Sequence, residues 1–122
     1  MLRPMTLPSI PRFVLAASLL LAVPAALAAQ ADVAATLINQ AHAAQAKGET
    51  ELALRLAQSA IVADPKLTNA YVALGDLYAS AGQAAYARSY YDEALEIDPS
   101  DSGALKAIAA LDSKTPRVIA TP

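Results

Sequence analysis

His42 is the one histidine of a 122-residue chain that contains no cysteine. The side chains that bind transition metals and carry nucleophilic catalysis are thereby reduced to a single imidazole. A structural or catalytic zinc needs about three or four such ligands, and a catalytic triad needs a nucleophile, a base and an acid that orients it. The residues that a helix would place beside His42 are Ile38, Asn39, Gln45 and Ala46, none of which can serve. His42 therefore reads as a solvated surface residue. The carboxylates are scattered, and the acidic run Asp92, Glu93 and Glu96 reads as a solvated helix face. With no glycine-rich phosphate loop either, the chain is expected to be no enzyme and to need no cofactor or metal. Nine Lys and Arg stand against eleven Asp and Glu, a net charge of −2. That balance offers no basic surface for phosphates, so nucleic acid is not an expected partner.

What these residues can do depends on the elements that carry them. At the N-terminus, Arg3 and Arg12 precede an apolar run over residues 13–23, interrupted only by Ser18, followed by Pro24 and Ala25-Ala26-Leu27-Ala28-Ala29. Basic start, apolar middle and Ala-x-Ala end are the layout of a secretory signal peptide. The run is shorter than the roughly 20 residues a spanning helix wants, and Pro24 should break a longer helix. Residues 1–28 are therefore expected to be a signal peptide cut after Ala28, with residues 29–33 as a lead-in. The alternative is an uncleaved anchor over residues 13–29. Cleavage removes two arginines and moves the net charge from −2 to −4. The expected location is outside the cytoplasm, most simply the periplasm.

The remaining chain repeats itself. Asp64-Pro65 recurs as Asp98-Pro99 and Gly48 recurs as Gly82, both 34 residues later. Tyr71, Leu74, Gly75 and Tyr78 fall at i, i+3, i+4 and i+7, which predicts a helix over residues 68–81. Ala84, Ala87, Tyr91, Ala94 and Leu95 predict another over residues 83–97. Gly82 supplies the left-handed residue between them, and Pro99 ends the second. An earlier unit, residues 34–67, keeps the frame with Leu37, Ala41, Gly48, Ala53, Ala60 and Pro65, but departs from it at Gln40, Ala44 and Ala57. Its helices are expected over residues 32–46 and 50–63, capped by Asp32 and Thr50. Leu105, Ile108 and Ala109 start a third unit, expected to supply one capping helix over residues 102–113. Residues 114–122 show no helical period and are expected to form a disordered tail.

With residue 68 as position one, Tyr71, Leu74, Gly75, Tyr78, Ala87, Tyr91, Ala94 and Pro99 occupy positions 4, 7, 8, 11, 20, 24, 27 and 32. This pattern resembles the tetratricopeptide repeat at all eight signature positions, strictly in the second unit and loosely in the first. The resemblance implies an all-α fold, a short right-handed solenoid of two helix-turn-helix repeats plus a C-terminal capping helix. It also implies a protein or peptide partner held in the groove that first helices line, typically at positions 2, 5, 9 and 12. Transferred to this chain, the expected groove residues are Ile38, His42, Asn69, Val72, Asp76 and Lys106. Apolar contact would centre on Ile38 and Val72, and Val72→Lys would block the groove without disturbing the packing. Members that clamp a C-terminal carboxylate carry basic residues and asparagines where Ile38, His42 and Ala73 stand here, so no such clamp is expected. Two units and a cap are a short array, since solenoids usually need about three units to bury a continuous core. A self-associating scaffold, with copies stacked through their repeats, is the alternative to a partner-binding module of the cell envelope. No membrane contact is expected once the signal has been removed.

Overall fold

The computed structural model describes residue 4 and residues 13–114, with the side chains of the first helix described from residue 26 onward. Five helices follow one another: α1 (Phe13–Ala46), α2 (Thr50–Ala63), α3 (Thr68–Ser80), α4 (Ala84–Ile97) and α5 (Ser102–Lys114). The expected disordered tail falls, from residue 115, outside the described residues. α1 pairs with α2 and α3 with α4 as antiparallel hairpins, α3 also packs on α1 and α2, and α5 packs on α3 and α4. This is an all-α helical-repeat solenoid.

The repeat is visible in the backbone hydrogen bonds. Both hairpins turn through a glycine with positive φ, 77° at Gly48 and 76° at Gly82. Past each glycine the next amide reaches back five residues, Glu49 N to Ala44 O and Gln83 N to Tyr78 O, both 2.9 Å. This Schellman closure requires a left-handed residue, which glycine adopts without a Cβ penalty. Between hairpins, Asp64 Oδ1 accepts from the Lys66 amide at 3.1 Å and Asp98 Oδ1 from the Ser100 amide at 3.0 Å. The recurring Asp-Pro pair thus folds as the same side-chain-closed turn twice.

Three expectations about helix ends are corrected. α1 begins at Phe13 and runs through Pro24, so the proline does not break it. Leucine and alanine, the strongest helix formers, fill both sides of that position and outweigh one lost hydrogen bond. Asp32 consequently lies inside α1 and caps nothing. Thr50 is the first helical residue of α2, and Glu49 takes the capping position with no side-chain bond, because the Schellman closure has already fixed Glu49 as the hinge. Among the described residues, no helix is long and apolar enough to cross a membrane.

The interior has two parts. Between α1, α2 and α3 it is mostly alanine, Ala34, Ala41, Ala44, Ala53, Ala57, Ala60, Ala70 and Ala73, with Ile38, Leu74 and Leu77 as the bulk. Ala44 and Ala57 depart from the repeat pattern yet are buried, since small side chains on facing helices let the backbones approach closely. The second part, between α3, α4 and α5, is built round Tyr91, which is 2% exposed, with Ala87, Ala94 and Ala104.

Asp101 joins the cap to the repeat. Its Oδ1 accepts from the Ala104 amide at 2.8 Å, closing the first turn of α5, and its Oδ2 accepts from the Thr68 hydroxyl at 2.6 Å, at the start of α3. The Thr68 hydroxyl and the Ala104 amide hold this carboxyl below its ordinary value of 3.8. Because the folded value is the lower one, the contribution is fully present above about pH 4 and is lost as pH falls through the folded value. Asp101→Ala is expected to cost about 1–2 kcal/mol at pH 7, in the range of strong caps. The loss should shrink in thermal melts as the pH is lowered through the folded value and the wild-type carboxyl itself becomes protonated.

Candidate functional site

The first helices α1, α3 and α5 lie side by side, α3 touching both others. A hydrogen bond from Gln45 Nε2 to Ser80 Oγ, 3.3 Å, crosses from α1 to α3. His42, Asn69, Asp76 and Lys106 are all exposed, and they come from these three helices at the repeat positions expected to face a ligand. The face is polar and of mixed charge: one imidazole, one amide, one carboxylate and one ammonium.

The two apolar residues expected there behave differently. Ile38 is 7% exposed and belongs to the core between α1, α2 and α3, so its apolar surface is spent on packing and offers a ligand nothing. The reason is the alanine-rich interior, which leaves room that only the larger side chain of α1 can fill. Val72 is half-buried and packs with the α5 cluster, its methyl groups 3.7 and 3.8 Å from where a Cβ on Gly103 would stand. A lysine at Val72 would therefore disturb the seat of α5 as well as the face, correcting the expectation that it leaves packing intact.

Asp76 has a structural task alongside its exposure. Its Oδ1 accepts the Tyr91 hydroxyl at 2.7 Å. Burial raises the Tyr91 hydroxyl well above the ordinary tyrosine value, and the bond to Asp76 and the carboxylate charge raise it further. Tyr91 is thus a fixed neutral donor, and Asp76 keeps one oxygen free to meet a ligand. Among the described residues, Asn69, His42 and Lys106 make no side-chain hydrogen bond that competes with a ligand.

Of the five tyrosines, Tyr86 is the open one, at 62% exposure. Its ring lies 5.5 Å from that of Tyr78, which stacks on Tyr90 at 5.4 Å. Tyr71 donates to the Pro65 carbonyl at 3.0 Å and so ties α3 to the preceding turn. Among the described residues, no three His, Cys, Asp or Glu side chains group as a metal site would need. The residue that sequence reasoning missed is Asp101. An aspartate directly before the periodic run of α5 is a capping signal that would have found it.

Residues 68–101 are matched by the family model described as tetratricopeptide repeat. No curated protein matches the chain. The match covers α3, α4 and the turn after them, the hairpin in which Gly75 and Tyr91 interlock, and α1 with α2 repeats its turns one unit earlier. Residues 68–101 are a tetratricopeptide repeat.

Proposed function

We propose that this protein is a non-enzymatic interaction module of the cell envelope that holds a segment of another protein against the face of its first helices. Tetratricopeptide repeats are protein-protein interaction modules, which supports the general reading. The finer one rests on the exposure of His42, Asn69, Asp76 and Lys106 along α1, α3 and α5. Such a face suits an extended peptide. Asn69 can both donate to and accept from a peptide backbone, while Asp76 and Lys106 select charged side chains of the bound segment. With Ile38 buried and Val72 under α5, recognition on this face is polar rather than apolar. Residues 1–28 act as the export signal in this reading, placing the mature chain in the periplasm, and α1 then starts at the cut.

A photo-cross-linking amino acid at Asn69 or Lys106, compared with one at Val62 on the outer face of α2, tests the face directly. The expected result is a covalent adduct to a different protein from positions 69 and 106, absent from position 62. That adduct should be reduced by Asp76→Asn, which keeps an acceptor for Tyr91 and removes the charge. Adducts from position 62 alone would overturn the proposal. An N-terminal sequence beginning at Met1 in the purified envelope protein would overturn the export reading separately.

A further inference from the structure

We propose that a second copy of this chain covers the leading edge of the first repeat, packed antiparallel about a two-fold axis through Gln40. The inference concerns a different surface from the first-helix face and stands independently of it.

The chain itself shows what this edge requires. In the second repeat the leading edge carries Leu67, Leu74, Leu77, Tyr78 and Tyr90, all packed against the first repeat. One unit earlier the same positions hold Val33, Gln40, Ala43, Ala44 and Leu56; Ala44 is buried and Leu56 half-buried, but Val33, Gln40 and Ala43 stay exposed, with no described element over them. Val33 is 54% exposed and Leu52 40%, with Leu37 and Leu56 half-buried between them.

This edge has two halves that complement each other. Toward the N-terminus, Val33 and Leu37 form an apolar ridge beside Asp32 and Thr36. Toward the turn, Ala43 and Ala44 floor a hollow of about 330 Å³ walled by Leu52 and Leu56 and rimmed by Lys47 and Glu49. Gln40 borders both halves. Turning a second copy by 180° about Gln40 lays each ridge in the other's hollow, with Leu37 over Ala43 and Val33 beside Leu52. The two Gln40 amides meet on the axis, where each can donate to the other. Asp32 lies eight residues before Gln40 and Lys47 seven after. At about 1.5 Å per residue they reach matching distances from the axis, so each Asp32 meets the other copy's Lys47. Neither makes an ion pair among the described residues.

Head-to-tail stacking is disfavoured by chemistry. Tyr71, Val72, Tyr78 and Ala79 of α3 take part in the cluster beside α5, and their counterparts on α5 are Leu105, which is exposed, Lys106, Asp112 and Ser113. Apart from Leu105 the far end of the array is therefore polar and matches an apolar leading edge poorly, whereas the edge matches itself. A self-matching patch gives a closed pair rather than a filament.

Because the chain has no cysteine, a single introduced one reports proximity cleanly. The full chain, in a mild detergent that disperses its apolar N-terminal run, would be oxidised as Gln40→Cys and, for comparison, as Ser89→Cys on exposed α4. Rapid disulfide-linked dimer from the first and not the second is expected. In sedimentation velocity, Lys47→Glu adds a second acid beside Glu49 facing Asp32 and should weaken the dimer about tenfold, since each exposed pair occurs twice. Asp32→Lys should do the same, and the double exchange should recover the wild-type constant to within about threefold. Equal cross-linking at positions 40 and 89, a wild-type monomer throughout, or a double exchange no better than either single would each overturn the proposal. Substitutions at Asn69 and Lys106 should leave sedimentation unchanged, which separates this test from that of the first-helix face.

Discussion

Gly75→Ala is expected to destabilise the protein by about 3 kcal/mol, at the upper end of what one added methyl costs in a packed interior. For a domain of this size that lowers the thermal midpoint by roughly 10–20 °C, measurable by far-ultraviolet circular dichroism. A Cβ on Gly75 would stand 2.6 and 2.8 Å from ring carbons Cδ1 and Cζ of Tyr91 and closer still to Cε1. The ring has no easy retreat: it is 2% exposed and its hydroxyl is held by Asp76. Gly75 has an ordinary helical φ, so the requirement is one of space and not of backbone conformation. The first repeat solves the same crossing with Ala41 and Ala57, both buried. Copying that solution makes the prediction sharper. Gly75→Ala combined with Tyr91→Ala should cost clearly less than the sum of the two single changes, because the added methyl then enters the space the ring has left. Strict additivity would show that the ring is free to move and that the close packing has no energetic weight.

Gly75 and Tyr91 were legible in the sequence as repeat residues, at helical spacing inside a 34-residue period with a turn glycine between, though not their contact. For the same reason α3, α4 and α5 begin and end within a residue of where the pattern puts them. The start of α1 was not legible. Periodicity marks where a helix must bury a face, and the segment before Asp32 continues as helix on propensity alone, which leaves no periodic signal. The first-helix face was legible only in part. Repeat position locates His42, Asn69, Asp76 and Lys106, all of them exposed, but repeat position cannot register how thin an interior of alanines is. That thinness draws Ile38 inward, and the first turn of α5 comes to lie over Val72. Asp76 was expected on the first-helix face, and it is exposed there. Its bond to Tyr91 joins positions 15 residues apart, a pairing that only the hairpin geometry brings about.

Leu74 and Gln40 occupy the same repeat position, and exchanging their characters should give opposite outcomes. Leu74 is 1% exposed, at the junction where the second repeat packs on the first. Leu74→Gln keeps the volume nearly constant but buries an amide among alanines and leucines with no polar side chain buried beside it. The lost transfer energy of a buried leucine is about 2 kcal/mol, and an unpaired buried amide adds about 1–3 kcal/mol. Together they should remove about 4 kcal/mol, close to the whole stability of a domain this small. Urea unfolding should show the variant largely unfolded at 37 °C, or unfolding in two steps as the repeats uncouple. Gln40→Leu puts the apolar residue where the pattern wants it, but on an edge where no described element covers it. In dilute solution, where copies are apart, it should change the urea midpoint by no more than about 0.5 kcal/mol of stability. The same substitution at high concentration should tighten association between copies, since apolar area at the axis replaces an amide pair. A glutamine tolerated at Leu74 would mean that the two repeats fold as independent hairpins. Their stability would then come from within each unit, and the alanine interface between them would only orient the first-helix face.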